Sequence, residues 1–541
     1  MPYLLAAEAD KIQDFIFRSS RLREVVGASQ LLTRFCHSIE ATLVRDYNGR
    51  VVVNDGGSFR VIFDKREDAI AFGHDLAEFY RLALGGSLTV AEPVELQGNF
   101  RQANEAASAK LRRAKSRRQG VVAEPHMPYV AFCASCGVAL AQNHTRLANE
   151  GGGERRRYLC RDCQQKARES ATNREEILNE FLYAVVDNAV QHDQYEFTYE
   201  PERCAFYDRR SYVAYLVADG NGMGALFGSI ADEGTLSKFS EALSVNTRKS
   251  LAAPAKQLLD RLPKQPDRRS ILPVLPLILG GDDLFALIPA PYALDVARRF
   301  CLTWEKQMDQ LVKRHRLTGV PRPTIAAAVV ICKSTYPYAL AHRRAESLLK
   351  DAKRQSKLLA TERGEYLSAV NFEVILGNRL AGVTDDNGSQ SITLSLRPYW
   401  VASQPLSADA AERGLDLKQL LEQRLTLKDL PNKRLIELRR CFETVRKDVT
   451  IHERAQMLKE WTGHDLGRIL SRLSQTEKSA VEKTLQSLGQ PHNGDGYHWR
   501  KLYRGGSDVR GHGMLDLLEV WDFAQDLDHS LDEYEPQEAE A

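Results

Sequence analysis

Residues 275–288 read LPLILGGDDLFALI: two apolar arms, Leu275–Leu279 and Leu284–Ile288, about the turn Gly280-Gly281-Asp282-Asp283. Uninterrupted apolar arms predict a β-hairpin buried on both faces, which holds its turn rigidly and sets two carboxylates at one place. Gly280 and Gly281 remove side chains where the backbone must bend sharply or approach a ligand closely. Upstream, the apolar strand Tyr212–Val217 ends near Asp219, and Gly220-Asn221-Gly222-Met223-Gly224 follows as a glycine-rich turn into a helix. Such a loop can expose backbone N–H groups to a phosphate, although it lacks the G-x-G-x-x-G spacing of a dinucleotide fold.

Asp219, Asp282 and Asp283 on neighbouring strands predict a site for hard divalent cations, Mg²⁺ or Mn²⁺, completed by substrate phosphates. Two such ions suit phosphoryl transfer, in which positioning and charge neutralisation carry most of the catalysis. Lys353, on the helical stretch Ala339–Lys357, is a candidate phosphate contact. The competing reading is structural: Gly-Gly-Asp-Asp is ordinary turn composition, and most helical lysines are merely solvated.

Working outward, the order strand, helix, hairpin, helix, strand occurs twice. The first copy comprises Tyr3–Ala7, a helical pattern from Lys11 interrupted at Gly27-Ala28-Ser29, a hairpin about Asn54-Asp55-Gly56-Gly57, a helix Ala69–Leu84 and a strand Leu88–Glu92. The second runs from Tyr212 to Lys357, so the chain reads as a distant internal repeat. The predicted class is α+β: two ferredoxin-like domains, a four-cysteine zinc-ribbon insertion and a helical C-terminal domain. The expected limits are 1–125, 126–205 (insertion and helical linker), 206–390, 391–525, and an acidic disordered tail over 526–541.

Cys133-x-x-Cys136 and Cys160-x-x-Cys163 are separated by 23 residues, which suits a closed tetrahedral Zn²⁺ site of structural role. Cys36, Cys204, Cys301, Cys332 and Cys441 are scattered and read as small apolar core residues. At 541 residues the chain needs several domains, and its 43% hydrophobic and 27% charged content is that of a soluble globular protein. A net charge of +2, from 74 basic and 72 acidic residues, points to no partner by itself. Two local basic runs, Lys110–Arg118 and Arg155–Arg157, permit contact with RNA, and a solvated charged face explains them equally well. Neither a membrane span nor a signal peptide is expected, so the predicted location is cytoplasmic.

These motifs together resemble the large palm-domain subunit of type III CRISPR effector complexes, the Csm/Cmr large subunit. The resemblance rests on Asp10–Phe17 with Leu22-Arg23 and Gly27-Ala28-Ser29, on Asp219–Gly224, on Gly280–Asp283, on Ala345–Lys353 and on Arg397-Pro398-Tyr399. It implies a second palm that converts ATP into cyclic oligoadenylates when guide crRNA pairs with target RNA, with Asp219, Asp282 and Asp283 holding the metal. It also implies a complex with other Csm/Cmr-type subunits, contacted through the C-terminal helices. The first palm carries Asp55-Gly56-Gly57-Ser58 at its hairpin, without paired acids, and is expected to be catalytically degenerate. Two departures matter. The first palm begins at the first residues, and His74-Asp75, His192-Asp193 and His464-Asp465 lack supporting histidines, so no HD nuclease is expected. Asn221 stands where relatives often carry an acid, which leaves open an acceptor other than ATP, such as S-adenosylmethionine. A stand-alone diguanylate-cyclase-like enzyme and a catalytically silent scaffold are the alternatives.

Overall fold

The computed structural model describes residues 1–528 apart from 20, 118–130, 149–153, 173–175, 187–193, 262–269, 318, 377–391, 446–450, 491–498 and 505–506. Its first domain consists of β1 (Tyr3–Asp10), α1 (Ile12–Phe17), α2 (Leu22–Ile39), β2 (Arg50–Asp55), β3 (Ser58–Phe63), α3 (Arg66–Leu84), β4 (Ser87–Val90), β5 (Val94–Glu95) and α4 (Phe100–Arg117). The strands are antiparallel in the order β2-β3-β1-β4, with β5 also on β1. Period two divides the strand residues between two cores. Leu5, Ala7, Phe59, Val61 and Phe63 pack with α2 and α3, whereas Leu4, Ala6 and Ile62 join the main core on the other face.

The insertion contains β6 (Asn143–Ala148), β7 (Glu154–Leu159), α5 (Arg161–Thr172) and α6 (Glu176–Val185). It is fastened to the first domain by polar contacts. Arg34 donates to both carboxylate oxygens of Glu169 at 2.9 and 3.0 Å. Buried Glu24 accepts from Ser19 and Ser135, and the Lys166 ammonium donates to the Phe15 carbonyl while lying 4.2 Å from that ring's centre.

The second domain follows as β8 (Tyr195–Glu196), α7 (Pro201–Cys204), β9 (Tyr212–Asn221), α8 (Met223–Ser229), α9 (Glu233–Arg261), β10 (Ser270–Ile271), β11 (Leu275–Gly280), β12 (Asp283–Pro289), α10 (Ala293–Arg314), β13 (Thr324–Lys333), α11 (Tyr338–Arg363) and β14 (Ser368–Val374). Its large sheet runs β11-β12-β9-β13-β14 and then takes a sixth strand from later in the chain. The first four strands repeat the order of the first domain, which is the internal repeat expressed as topology. Tyr212–Ala218 and Ile325–Cys332 are buried along their whole length because helices cover both faces, which is why these strands are apolar runs rather than alternations. α9 and α10 cover one face; α11 and α2 cover the other.

α2 therefore has two apolar sides. Val25, Val26 and Ala28 pack on the second sheet, and Leu32, Phe35 and Ile39 on the first. It runs unbroken through Gly27-Ala28-Ser29, where an interruption was expected, and the buried Gly27 and Ala28 are small where the helix closes on the second domain.

After 390 come β15 (Ile392–Thr393), β16 (Tyr399–Val401), helices α12 (Ala408–Ala411), α13 (Leu417–Thr426), α14 (Asn432–Glu443), α15 (Ile451–Glu460), α16 (Gly467–Leu470) and α17 (Gln475–Leu488), then β17 (Arg500–Arg504), β18 (Ser507–Gly511) and α18 (Met514–Glu519). β16 pairs with β14 and completes the large sheet, while β15, β18 and β17 form a small sheet among the helices. Arg397 binds Asp516 and Glu519, each at 3.0 Å, tying α18 to the large sheet. Asp526 and Asp528, counted with the acidic tail from sequence, bind Arg299 at 3.2 and 2.6 Å, and Leu527 between them is buried. Among the described residues no helix is long and apolar enough to cross a membrane.

Candidate active site and four-cysteine cluster

β12 lies between β11 and β9, and the register sets Leu284 beside Ala218, one residue before Asp219. Gly280 and Asp283 form the last pair of the hairpin, so Gly281 and Asp282 are the two central turn residues. Gly281 has φ +58°, a left-handed value that glycine adopts without steric cost at the first central position of such a turn. The strand end and the turn then meet at Gly220. A Cβ there would stand 2.8 Å from Asp282 Oδ2 and 2.6 Å from Met223 Cγ. Only a residue without a side chain lets the Asp282 carboxylate approach the end of β9 so closely.

The three expected carboxylates are thus brought together. Burial raises the Asp282 carboxyl well above the ordinary range, and the charges of Asp283 and Asp219 add to this. Asp283 is raised to about 7 by loss of hydration and by Asp219, with the Lys353 ammonium acting in the opposite sense. Because Asp283 remains exposed at the surface, repulsion from its neighbours is the more durable cause. Acidic oxygens crowded to this degree, with one ammonium to offset them, are the donor set that hard divalent cations take.

Lys353, expected at a phosphate, is ion-paired with Asp219. Asn221 donates to Thr324 Oγ1 at 3.1 Å and ties the end of β9 to β13. Gly222, at φ +69°, starts α8, and Met223 is buried beneath it. Glu346 was not singled out from sequence. It stands seven residues before Lys353 on α11, a helical spacing that places both on one face. Burial and the Asp219 charge raise its carboxyl.

Asp219, Asp283 and Glu346 line an open cleft that Gln13, Thr33 and Asp55 of the first domain also line. The acidic site therefore faces a cavity shared by both repeats. Sequence reasoning also missed Ser244 and Thr247 of α9. Ser244 Oγ accepts from the Gly281 N–H at 3.0 Å, and Thr247 Oγ1 donates to the Gly281 carbonyl at 2.7 Å.

The sulfur atoms of Cys133, Cys136, Cys160 and Cys163 all lie within 4.8 Å of one another, a closed set able to hold one metal ion. The other five cysteines are buried singly. Of the basic runs, Lys115 pairs with Glu8 at 3.0 Å and Lys110 with Glu92 at 3.7 Å, while Arg112 and Arg113 are exposed. Arg118 lies outside the described residues. Arg156 and Arg157 sit on β7, the first exposed and the second half-buried.

Residues 212–358 match the family described as Cas10/Cmr2, second palm domain. No curated protein matches the chain. Similar solved structures include a Csm1–Csm4 cassette in complex with AMPPNP, 14% identical over 97% of this chain and 69% of that one, with a TM-score of 0.48. Csm1 in T. onnurineus is 14% identical over 97% and 69%, with a TM-score of 0.47. A Csm1–Csm4 cassette in complex with cA4 is 13% identical over 70% of this chain and 55% of that one, with a TM-score of 0.40. The chain thus spans between 55% and 69% of the lengths of these solved chains. The strand order, the carboxylate turn and the family match together define residues 212–358 as a palm domain. Within those bounds it is similar to the second palm domain of Cas10/Cmr2.

The electrostatics give a signed expectation. A carboxyl raised from 3.8 to about 7 on folding stabilises the metal-free protein below 3.8, and that contribution is lost as the pH rises through about 7. Mg²⁺ should therefore raise the melting temperature more at about pH 8 than at about pH 5, and an Asp282→Asn, Asp283→Asn variant should lose this difference. Equal shifts at both pH values would contradict the assignment. Separately, Gly220→Ala should weaken Mn²⁺ binding about tenfold or more, read by electron paramagnetic resonance titration, because Asp282 must move aside.

Proposed function

We propose that this chain is the large subunit of a type III CRISPR effector, and that its second palm joins ATP into cyclic oligoadenylates when target RNA pairs with the guide crRNA. The observation that carries this reading is the gathering of Asp219, Asp282 and Asp283 at one sheet edge, with Asp219 and Asp283 lining a cleft walled by both palms. Such a cleft can hold a triphosphate at the acidic edge and an acceptor nucleotide against the first domain.

In the proposed reaction an acceptor 3′-oxygen bonds to the α-phosphorus of ATP, the bond to pyrophosphate breaks, and the 3′-hydroxyl proton is released. Asp219, Asp282 and Asp283 would hold Mg²⁺ or Mn²⁺, which supplies charge neutralisation for the triphosphate and acidifies the hydroxyl. The residues of the chain do the positioning. The buried β11–β12 arms fix the carboxylates, and the backbone of the Gly220–Gly224 loop would supply N–H donors for the phosphates. Lys353, ion-paired with Asp219 in the metal-free chain, would be the cation able to meet a phosphate oxygen beside the held ions. The first palm, whose Asp55–Ser58 turn has no paired acids, contributes a wall and no second acidic site.

Cys133, Cys136, Cys160 and Cys163 hold one structural Zn²⁺ in this reading. The Csm1–Csm4 cassettes among the similar structures suggest a Csm4-type partner, and among the described residues of the two basic runs the exposed Arg112, Arg113 and Arg156 are available to RNA.

Two experiments test the reading. With ATP, Mg²⁺ and guide-complementary RNA, the assembled complex should yield cyclic oligoadenylates identifiable by mass spectrometry. An Asp282→Ala, Asp283→Ala variant should fall below about one-hundredth of that yield. Adding S-adenosylmethionine distinguishes the acceptor, since an adduct in place of rings would replace ATP in that role. Elemental analysis of the purified chain should find about one zinc per chain, and Cys163→Ser should lose it together with thermal stability.

A further inference from the structure

α9 crosses behind the acidic turn, and its residues reach both palms. Ser244 Oγ donates to Asp55 Oδ2 at 2.6 Å and accepts from the Gly281 N–H at 3.0 Å. Asp55 belongs to the hairpin turn of the first palm, and Gly281 to the equivalent turn of the second. One hydroxyl therefore bridges two topologically matched turns. On the other side of the Gly281 residue, Thr247 Oγ1 donates to its carbonyl at 2.7 Å and accepts from Trp304 Nε1 at 3.1 Å. Trp304 and Thr247 are fully buried, so this second anchor is fixed by the core. The Ser244 anchor instead ends on a half-buried carboxylate of another domain.

We propose that Ser244 is a positioning residue that transmits the placement of the first palm's Asp55 turn to the backbone of Gly281, and so to the metal-binding carboxylates beside it. The inference rests on the reading of Asp219, Asp282 and Asp283 as a metal site. Its physical basis is donor and acceptor accounting. A hydroxyl with one proton and two neighbours donates to the carboxylate and leaves its lone pair for the amide. Donation to an ionised acceptor is a strong, short interaction, and it polarises the hydroxyl toward the Gly281 N–H. The first turn, which carries no acid pair, thus acts on the turn that carries one. Displacing the first palm by a fraction of an ångström would loosen the Gly281 peptide, while the Thr247 anchor alone permits it to pivot.

The test is Mn²⁺ binding by the full-length chain, followed by electron paramagnetic resonance, with turnover of ATP by the assembled complex as a second readout. Asp55→Ala and Ser244→Ala should each weaken Mn²⁺ binding about threefold to tenfold. The double variant should be no weaker than the weaker single, because both substitutions cut the same chain. Asp55→Asn, which keeps an acceptor oxygen, should recover most of what Asp55→Ala loses. In turnover by the Ser244→Ala variant, whose residue does not line the cleft, the loss should fall on kcat and leave KM for ATP nearly unmoved. Wild-type binding retained unchanged in both single variants, or strictly additive losses in the double, would overturn the relay alone. Absence of Mn²⁺ binding by the wild-type chain would overturn the metal reading of the site, and the relay with it.

Discussion

Three carboxylates repel one another, and they stay together only if the backbone beneath them cannot yield. That resistance comes from the middle of the large sheet. β9 is hydrogen-bonded on both edges, to β12 and β13, and covered by helices on both faces. Its end delivers Asp219, and its neighbour β12 begins at Asp283. The repulsion among the gathered acids is thus resisted by the ladder of deeply buried strands, and burial together with the neighbouring charges raises the carboxyls of Asp282 and Asp283. Gly220 and Gly281 are the two places where the arrangement depends on having no side chain, one for close approach and the other for the turn's dihedral.

The two repeats have the same strand order but different fates. Both hairpin turns use positive-φ glycines, Gly56 and Gly57 in the first and Gly281 in the second. Only the second turn carries paired acids. Two helices join the copies: α2 gives one side to each sheet, with the cleft opening beside it, and α9 bridges the two hairpin turns through Ser244. The cysteine module is fixed to the same helix through Glu24 and Arg34. Three parts of the chain therefore depend on eighteen residues near its start.

Local signals were legible in sequence. The apolar arms around Gly280–Asp283, the strand ending at Asp219 and the paired cysteine knuckles each declare themselves within a few residues, and the structure assembles all three. Contacts between distant segments were not legible. Ser244 looks like any polar residue on a helix until Asp55, 189 residues away, and Gly281 are placed beside it. Lys353 was recognised as belonging to the site but not as the partner of Asp219, because the pairing depends on how α11 lies across β9. The break expected at Gly27-Ala28-Ser29 followed from reading small residues as a turn, when they mark close helix packing. β16 was invisible as part of the large sheet, since three residues carry almost no strand signal and its pairing with β14 is tertiary.

The shared helix also separates two ideas of a domain. The stretch that similarity delimits, residues 212–358, contains four strands of the large sheet, the helices α8, α9 and α10 with most of α11, and the acidic turn. It does not contain what covers β11, because Val25, Val26 and Ala28 come from the other end of the chain, nor does it contain β14 and β16 on the opposite edge. An excised palm would carry an uncovered apolar surface on one flank and an unpaired strand edge on the other. The unit of inheritance is therefore smaller than the unit of cooperative folding, and the matched module is a part that descends as a piece but stands only as a whole.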